Sequence, residues 1–312
     1  MKTCRPLSFS RTAVAVMVAL ATPGIALASK PIDEVRPISA TGEVRIDNQQ
    51  GSIRVIGSDR TDVRISGSLG EGVEELEIDG DSGKLRIDVD YPDGGSWSSW
   101  FGGQGRVEDT DLVIEVPRTV KLRIDSISAT VDVEEVFGAS ISVDSISGSV
   151  TVRGGAEEID VDSVSGSVDV RSTAAARFDI ESVSGDVEIE ATGQAERVNV
   201  ETVSGSARVS GPPALRTLQA STVSGRLDLE AGIASGGSFQ LEAMSGDVHL
   251  TVPAATSATL RVESFSGNIR SSHGTVQKEE YGPGRSLETT LGKGGARIDI
   301  EAFSGDVRFD MR

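Results

Sequence analysis

Carboxylates occupy one position of a sequence repeat, and their regular spacing makes them the first candidates for ligand binding or catalysis. Counted from a recurring Gly, the position four residues earlier is occupied by Asp125, Asp144, Asp162, Glu181, Glu201, Ser221, Glu242, Glu263 and Glu301. Such a row could bind divalent cations, because carboxylate oxygens suit hard cations, or it could bind a basic partner. It could equally be a solvated face that keeps the protein soluble. The Gly-Gly-x-Gly-x-Asp loops of calcium-binding toxin solenoids do not occur in the sequence.

Paired carboxylates also serve glycoside hydrolysis, but these acids follow the repeat, whereas a catalytic site needs one constellation in one place. The two histidines, His249 and His273, belong to no nucleophile motif or zinc-ligand spacing, and no phosphate-binding loop occurs. We therefore predict a protein that is not an enzyme, with no catalytic residue, no metal site and no cofactor. A polysaccharide lyase or hydrolase on a β-helix is the enzymatic alternative.

The repeat that positions these acids has a fixed template. The recurring position holds Ala129, Gly148, Gly166, Gly185, Gly205, Gly225, Gly246, Gly267 and Gly305. The residue before it is always Ser, and the residue two before it is always apolar: Ile127, Ile146, Val164, Val183, Val203, Val223, Met244, Phe265 and Phe303. Successive copies are 18 to 21 residues apart, except for a last interval of 38, which is twice 19 and predicts an irregular coil.

Each copy alternates with the period of a β-strand. Ile159, Val161 and Ser163 share one face, Val168 and Val170 share another, and the parity changes across Ser165-Gly166. We therefore predict a turn at each of these glycines, with a positive φ at Gly166, since glycine accepts that conformation without steric cost. The serines are interpreted as small residues that pack at a sharp corner.

Two short strands with a corner, repeated along the chain, predict one coil of a parallel β-solenoid. Four apolar side chains contribute about 6–12 kcal/mol per coil, whereas ordering roughly 19 residues costs about 28 kcal/mol. A coil must therefore stack on its neighbours. The predicted fold is an all-β, single-stranded, right-handed parallel β-solenoid with coils of 18–21 residues, and an antiparallel β-sandwich is the alternative.

The repeat also divides the chain. Residues 1–28 combine Lys2, Arg5 and Arg11 with an apolar run and an Ala26-Leu27-Ala28 cleavage pattern, which predicts a signal peptide. Residues 29–40 are interpreted as an N-terminal linker, 41–120 as degenerate first coils with long loops, and 121–312 as regular repeats. The charged and apolar residues that alternate along the closing segment GDVRFDMR predict a terminal edge strand protected from self-pairing.

The segments SVSGSVDV, SVSGDVEI, SFSGDVRF and TLGKGGARIDIEAFSGDV resemble the DUF4097 β-strand repeat family, often labelled "putative adhesin". The resemblance covers residues 41–312. It implies an exported β-solenoid, and it implies no activity and no catalytic residues.

Two segments interrupt the repeat and are the candidates for ligand contact. The segment 93–105 contains Trp97, Trp100 and Phe101 beside several glycines, and aromatic side chains of this kind suit sugar rings or a partner's pocket. This segment could instead cap the solenoid. The segment 271–286 is a second long excursion.

The net negative charge of the chain limits the classes of partner that it can bind. The chain has 30 basic and 48 acidic residues, for a net charge of −18, which disfavours nucleic acid and anionic lipid. No segment after the leader is apolar enough to span a membrane. We predict an exported binding, adhesin-like or scaffolding module of the cell envelope, whose partner is an unknown envelope protein or glycan. The periplasm is the favoured location, and secretion or the cell surface are the alternatives. A component of envelope-stress sensing is a further alternative.

Overall fold

The computed structural model describes residues 30–92, 108–193, 195–280 and 282–312. In these ranges every regular element is a β-strand, and no helix is long and apolar enough to cross a membrane. The strands are β1 (Lys30–Pro37), β2 (Glu43–Ser58), β3 (Asp62–Leu69), β4 (Glu75–Gly80), β5 (Lys84–Asp90), β6 (Thr110–Pro117), β7 (Lys121–Glu134), β8 (Ser140–Ser145), β9 (Val150–Gly154), β10 (Glu158–Ser163), β11 (Val168–Ser172), β12 (Arg177–Ser182), β13 (Val187–Ala191), β14 (Arg197–Thr202), β15 (Ala207–Ser210), β16 (Leu215–Thr222), β17 (Leu227–Glu230), β18 (Ile233–Ala243), β19 (Val248–Val252), β20 (Ala258–Ser264), β21 (Ile269–Ser271), β22 (Gln277–Lys278), β23 (Arg285–Leu291), β24 (Ala296–Ala302) and β25 (Val307–Met311).

The repeats form two parallel ladders joined by the turns. In the first ladder, β8, β10, β12, β14 and β16 pair in sequence order with equivalent residues side by side, as in Val143, Val161 and Ile180. In the second ladder, β9, β11, β13, β15 and β17 do the same after the turn. The predicted parallel β-solenoid is therefore confirmed.

Alternation within each strand places the core between the ladders. Ile159 and Val161 on β10 and Val168 and Val170 on β11 are buried, while the residues between them face outward. Equivalent apolar residues from successive coils stack into one continuous core along the rod. Because a single coil buries too little to offset its conformational entropy, this stacking is what makes the fold stable.

The N-terminal end is closed by strands that fold back over β2. In the first ladder, β5 pairs in parallel with β2 and is covered by antiparallel β4. In the second ladder, β6 pairs with β2, and antiparallel β3 and β1 follow. The segment 29–40 is therefore more than a linker, because β1 lies within it and buries Ile32. The alternation in KPIDEVRP is too short to distinguish a strand without its partner β3.

The C-terminal coil does not lie at the end of the rod. Strand β24 sits between β18 and β20, and β25 sits between β19 and β21, so the last coil is inserted between the two coils that precede it. The prediction that the closing segment is an exposed edge strand is wrong, because β25 has a partner on each side. The outer cover of the first ladder is instead the antiparallel strand β23, which follows the irregular excursion.

The turn glycines adopt ordinary backbone angles. None of Gly148, Gly166, Gly185, Gly205, Gly225, Gly246, Gly267 and Gly305 has a φ in the left-handed region. The predicted positive φ at Gly166 is therefore wrong, and close stacking is the reason for glycine. A Cβ on Gly166 would lie 1.9 Å from the carbonyl oxygen of Gly148 in the preceding coil, a distance that no side chain tolerates.

Candidate binding groove

A long groove follows the turns along the whole rod. Each coil contributes three consecutive residues to it, which are the outward acid, the residue three before the glycine and the apolar residue two before it, for example Glu181, Ser182 and Val183. We call these the acidic, hydroxyl and apolar columns. The groove has a volume of about 1370 Å³, and eleven first-ladder strands at about 4.8 Å spacing give it a length of about 48 Å. Asp88 lies at its N-terminal end, and Glu279 and Arg285 lie at its C-terminal end.

The hydroxyl column forms the floor of the groove and holds seven of the nine turns, since Ala243 and Ala302 take its place before Gly246 and Gly305. Ser182 Oγ accepts a hydrogen bond from the Gly185 amide at 3.0 Å and donates one to the Gly185 carbonyl at 3.2 Å. The same bond to the turn amide is made by Ser126, Ser145, Ser163, Ser182, Thr202, Thr222 and Ser264. These hydroxyls satisfy buried backbone groups, so the floor of the groove is structural.

The serine that precedes each glycine contributes to stacking as well. Ser147 Oγ donates to the Ile127 carbonyl at 3.1 Å, and Ser165 Oγ donates to the Ile146 carbonyl at 3.3 Å. Each bond joins one coil to the coil before it. The second row of serines therefore also has an architectural role.

The apolar column is exposed along its entire length. Its nine side chains, from Ile127 to Phe303, retain 43–59% of their accessible surface. Phe265 and Phe303 come from coils that are neighbours only because the last coil is inserted, and their rings stack with centroids 4.9 Å apart and planes 6° apart. The apolar column is visible in the sequence, but its exposure was not predicted. The alternation of the strand already indicated that exposure, because Val164 follows the buried Ser163 and so belongs to the opposite face.

The N-terminal section of the acidic column is bridged by three arginines. Arg86 lies 2.8 Å from Asp88 and 3.1 Å from Asp47, and Arg45 lies 3.0 Å from Asp125. Arg123 continues the chain of ion pairs at 2.5 Å from Asp144. Each of these four carboxylates therefore has an arginine partner within the protein.

The central section of the groove has no such partners. We define the central acids as Asp162, Glu181 and Glu201, which line the groove, together with Asp160 and Asp179, which lie beside them on β10 and β12 outside the groove lining. Within the described part of the chain none of the five forms an ion pair. Partial burial, together with repulsion from Asp162 and Asp179, raises the pKa of Asp160 to about 6. Partial burial, together with Asp162 and Glu201, also raises the pKa of Glu181. This section therefore concentrates negative charge that nothing within the described residues neutralises.

Other candidate residues lie elsewhere. His249 lies outside the groove, in the second ladder, between Asp228 at 3.4 Å and Asp310 at 3.2 Å. Among the described residues, the acids whose ligand atoms come within 4.8 Å of one another are Glu75, Glu77 and Asp90, on the N-terminal strands β4 and β5 and outside the groove lining. The acidic column thus offers no compact ligand set for a metal ion.

Trp97, Trp100 and Phe101, in the segment 93–105, lie outside the described residues, so their role stays a prediction. The described residues just before that segment, Asp88 and Val89, line the N-terminal end of the groove.

Comparison with a family model completes the assignment of the fold. The model of the family described as "Toastrack DUF4097" matches residues 41–309. The chain belongs to the Toastrack DUF4097 family. The match spans both the degenerate first coils and the regular repeats, so the groove lies within the Toastrack region.

Solved structures match this chain at low sequence identity. A "putative lipid binding protein" from Parabacteroides distasonis is 12% identical with a TM-score of 0.50, and the match covers 91% of this chain and 97% of that one. A "putative adhesin" from Parabacteroides merdae is 10% identical with a TM-score of 0.49, covering 90% and 96%. A "putative adhesin" from Bacteroides fragilis is 14% identical with a TM-score of 0.46, covering 91% and 98%. A comparison with curated proteins gives no match.

Proposed function

We propose that this Toastrack protein is an exported, non-enzymatic binding module of the cell envelope, and that the groove is its binding surface. The observation that carries the proposal is the exposed apolar column. Nine half-exposed apolar side chains in register form a continuous stripe, and contiguous apolar surface of several hundred Å² marks an interaction site in soluble proteins.

Folding does not account for this stripe. The interior is already filled by the stacked residues of the two ladders, and a polar residue at the exposed position would leave that interior unchanged. The repeated floor of hydroxyls, whose bonds are used within the turns, supports a passive surface rather than a catalytic one. The predicted signal peptide supports export.

Site-specific photocrosslinking in cells that produce the protein tests this proposal. A photoreactive benzoylphenylalanine replaces Val183 in the groove or, as the matched control, the exposed Glu188 on β13 of the second ladder. We expect a discrete adduct from position 183 and none from position 188. Identical adducts from both positions, or no adduct from position 183, would contradict a binding role for the groove.

A further inference from the structure

We propose that the occupant of the groove is an extended polypeptide segment whose side chains alternate between basic and apolar. This inference rests on the proposed function and specifies the chemistry of the partner. It follows from the arrangement of the columns, the dimensions of the groove and the position of the unpaired charge.

The two outer columns lie on either side of the hydroxyl floor. In each coil the acid and the apolar residue are two positions apart, as in Asp162 and Val164. An extended chain directs successive side chains to opposite sides. A chain that runs along the floor would therefore place one set of side chains against the carboxylates and the other set against the apolar column.

The repeating columns favour an extended chain over a helix. The acids and the apolar residues form two rows along about 48 Å. A chain whose side chains alternate between two opposite sides meets both rows along its whole length, whereas the side chains of a helix point around its axis. At about 3.4 Å per residue, the groove has room for about 14 residues of extended chain.

Charge determines which side chains face the acids. The central acids have no cationic partner among the described residues, whereas Asp47, Asp88, Asp125 and Asp144 are bridged by Arg45, Arg86 and Arg123. Lysine or arginine side chains of a ligand would relieve the mutual repulsion of the central acids. The same carboxylates would repel nucleic acid and anionic lipid headgroups.

The apolar column indicates where bulky side chains would bind. Valines line the central section, whereas Met244, Phe303 and Phe265 line the C-terminal section. The stacked rings of Phe265 and Phe303 offer a wider apolar surface than the valines do. Basic residues of the ligand would thus lie at the centre, and its largest apolar residue would lie towards the C-terminal end.

The test measures binding of synthetic 14-residue peptides to the exported protein by fluorescence anisotropy. The peptides are seven repeats of Lys-Val, of Lys-Ser or of Glu-Val. We expect the Lys-Val peptide to bind at least about tenfold more tightly than either of the others, because only it matches both columns. Equal binding of the Lys-Ser and Lys-Val peptides would overturn the inference, since it would reduce the interaction to nonspecific charge attraction.

Matched variants locate the binding. Replacing Asp162, Glu181 and Glu201 with Asn, Gln and Gln should weaken Lys-Val binding by about tenfold. The control replaces three exposed acids outside the groove lining, Glu157, Glu188 and Glu196, with Gln, and should change binding by less than about twofold. Equal losses in the two triple variants would overturn the inference.

The two proposals can fail separately. If position 183 gives a crosslinked partner and the Lys-Val peptide does not bind, the groove is a binding surface for another chemistry, such as a glycan, and the inference falls alone. If position 183 gives no adduct and the peptide does not bind, both proposals fall.

Discussion

The glycine column and the apolar column lie two residues apart in the same turns, and the structure uses them in opposite ways. The glycines are packed so closely that a Cβ would collide with the preceding coil, as at Gly185 against the carbonyl of Gly166 at 1.8 Å. The apolar residues, such as Val183, are about half exposed and fill no space in the core. Periodicity in a solenoid can therefore reflect close stacking in one column and persist on the exposed surface in the next.

The largest expected effect comes from the glycine column. Gly166→Val places a branched side chain against the Gly148 carbonyl, so the coils must separate, and we expect a loss of at least about 3 kcal/mol in the free energy of unfolding. The control, Ser167→Val, changes an exposed residue next to it. Denaturant unfolding of both variants checks the prediction, and similar midpoints would mean that stacking does not require glycine.

The hydroxyl column should give an intermediate effect. Ser182→Ala removes the side chain that binds both the amide and the carbonyl of Gly185, and an unsatisfied buried amide costs about 1–2 kcal/mol. Ser184→Ala is the control, because Ser184 is exposed in the same turn and, unlike Ser147 and Ser165, its hydroxyl makes no hydrogen bond within the described residues. If thermal unfolding is lowered equally by the two changes, the floor hydroxyl has no special role in holding the turn.

A smaller effect on stability is expected from replacing the acids. Its sign should differ between the central acids and the acids that are paired with arginines. The pKa of Asp160 is raised to about 6 by partial burial and by Asp162 and Asp179. Because the folded state holds this proton more tightly than the unfolded state does, the ionised carboxylate lowers stability, and this cost is fully present above pH 6. Asp160→Asn should therefore stabilise the protein at pH 8, which a higher melting temperature would show. The gain in the free energy of unfolding should be no more than about 1 kcal/mol, because solvent screens the exposed group.

The pH dependence and the bridged section provide the controls. The gain from Asp160→Asn should shrink as the pH falls from 6 towards 4, where the native carboxylate is protonated. Asp160 pairs with Ser142 on β8 and Asp179 on β12, and its diagonal neighbours include Asp144, Glu181 and the cation Arg177. The pKa of Asp160 is nevertheless raised, because partial burial and the surrounding acids dominate. Asp125→Asn should instead lower stability slightly at pH 8, since it removes ion pairs with Arg45 and Arg123. Effects of the same sign at both sites would refute the distinction between the two sections.

These contrasts show which parts of the molecule follow from local sequence. The strands, their parity and the parallel stacking were predictable, because alternation and a constant period act within one coil, as in Ile159, Val161 and Val168. The reason for glycine was not predictable, because the clash at Gly166 involves a carbonyl of a different coil. The place of the last coil was not predictable either, since Gly267 and Gly305 stand in the same template and only their long-range pairing determines their order.

The groove, too, has features that the local sequence predicts and features that depend on long-range pairing. The acidic and apolar columns are visible in the sequence, and the parity argument is sufficient to place Val164 on the outside. The groove itself requires successive coils to stack in register, so that the acids and the apolar residues of different coils line up along the rod. The arginine bridges at Asp47 and Asp125 also depend on which coils become neighbours, because Arg45 and Asp125 are adjacent only through the pairing of β2 with β7.

The smallest effect on stability is expected from the apolar column, and it tests directly whether this column differs from the glycine column. Val183→Ser replaces a side chain that is 45% exposed, and surface substitutions of this kind change stability by about 0.5 kcal/mol or less. The triple variant Val164→Ser, Val183→Ser and Val203→Ser should therefore unfold close to the parent protein, while its binding of the Lys-Val peptide falls by about tenfold, since each valine loses its apolar contact with the ligand. Thermal unfolding and fluorescence anisotropy on the same samples measure both quantities. If the triple variant instead unfolds as early as Gly166→Val, the apolar column stabilises the stack as the glycines do, and its periodicity needs no ligand to explain it.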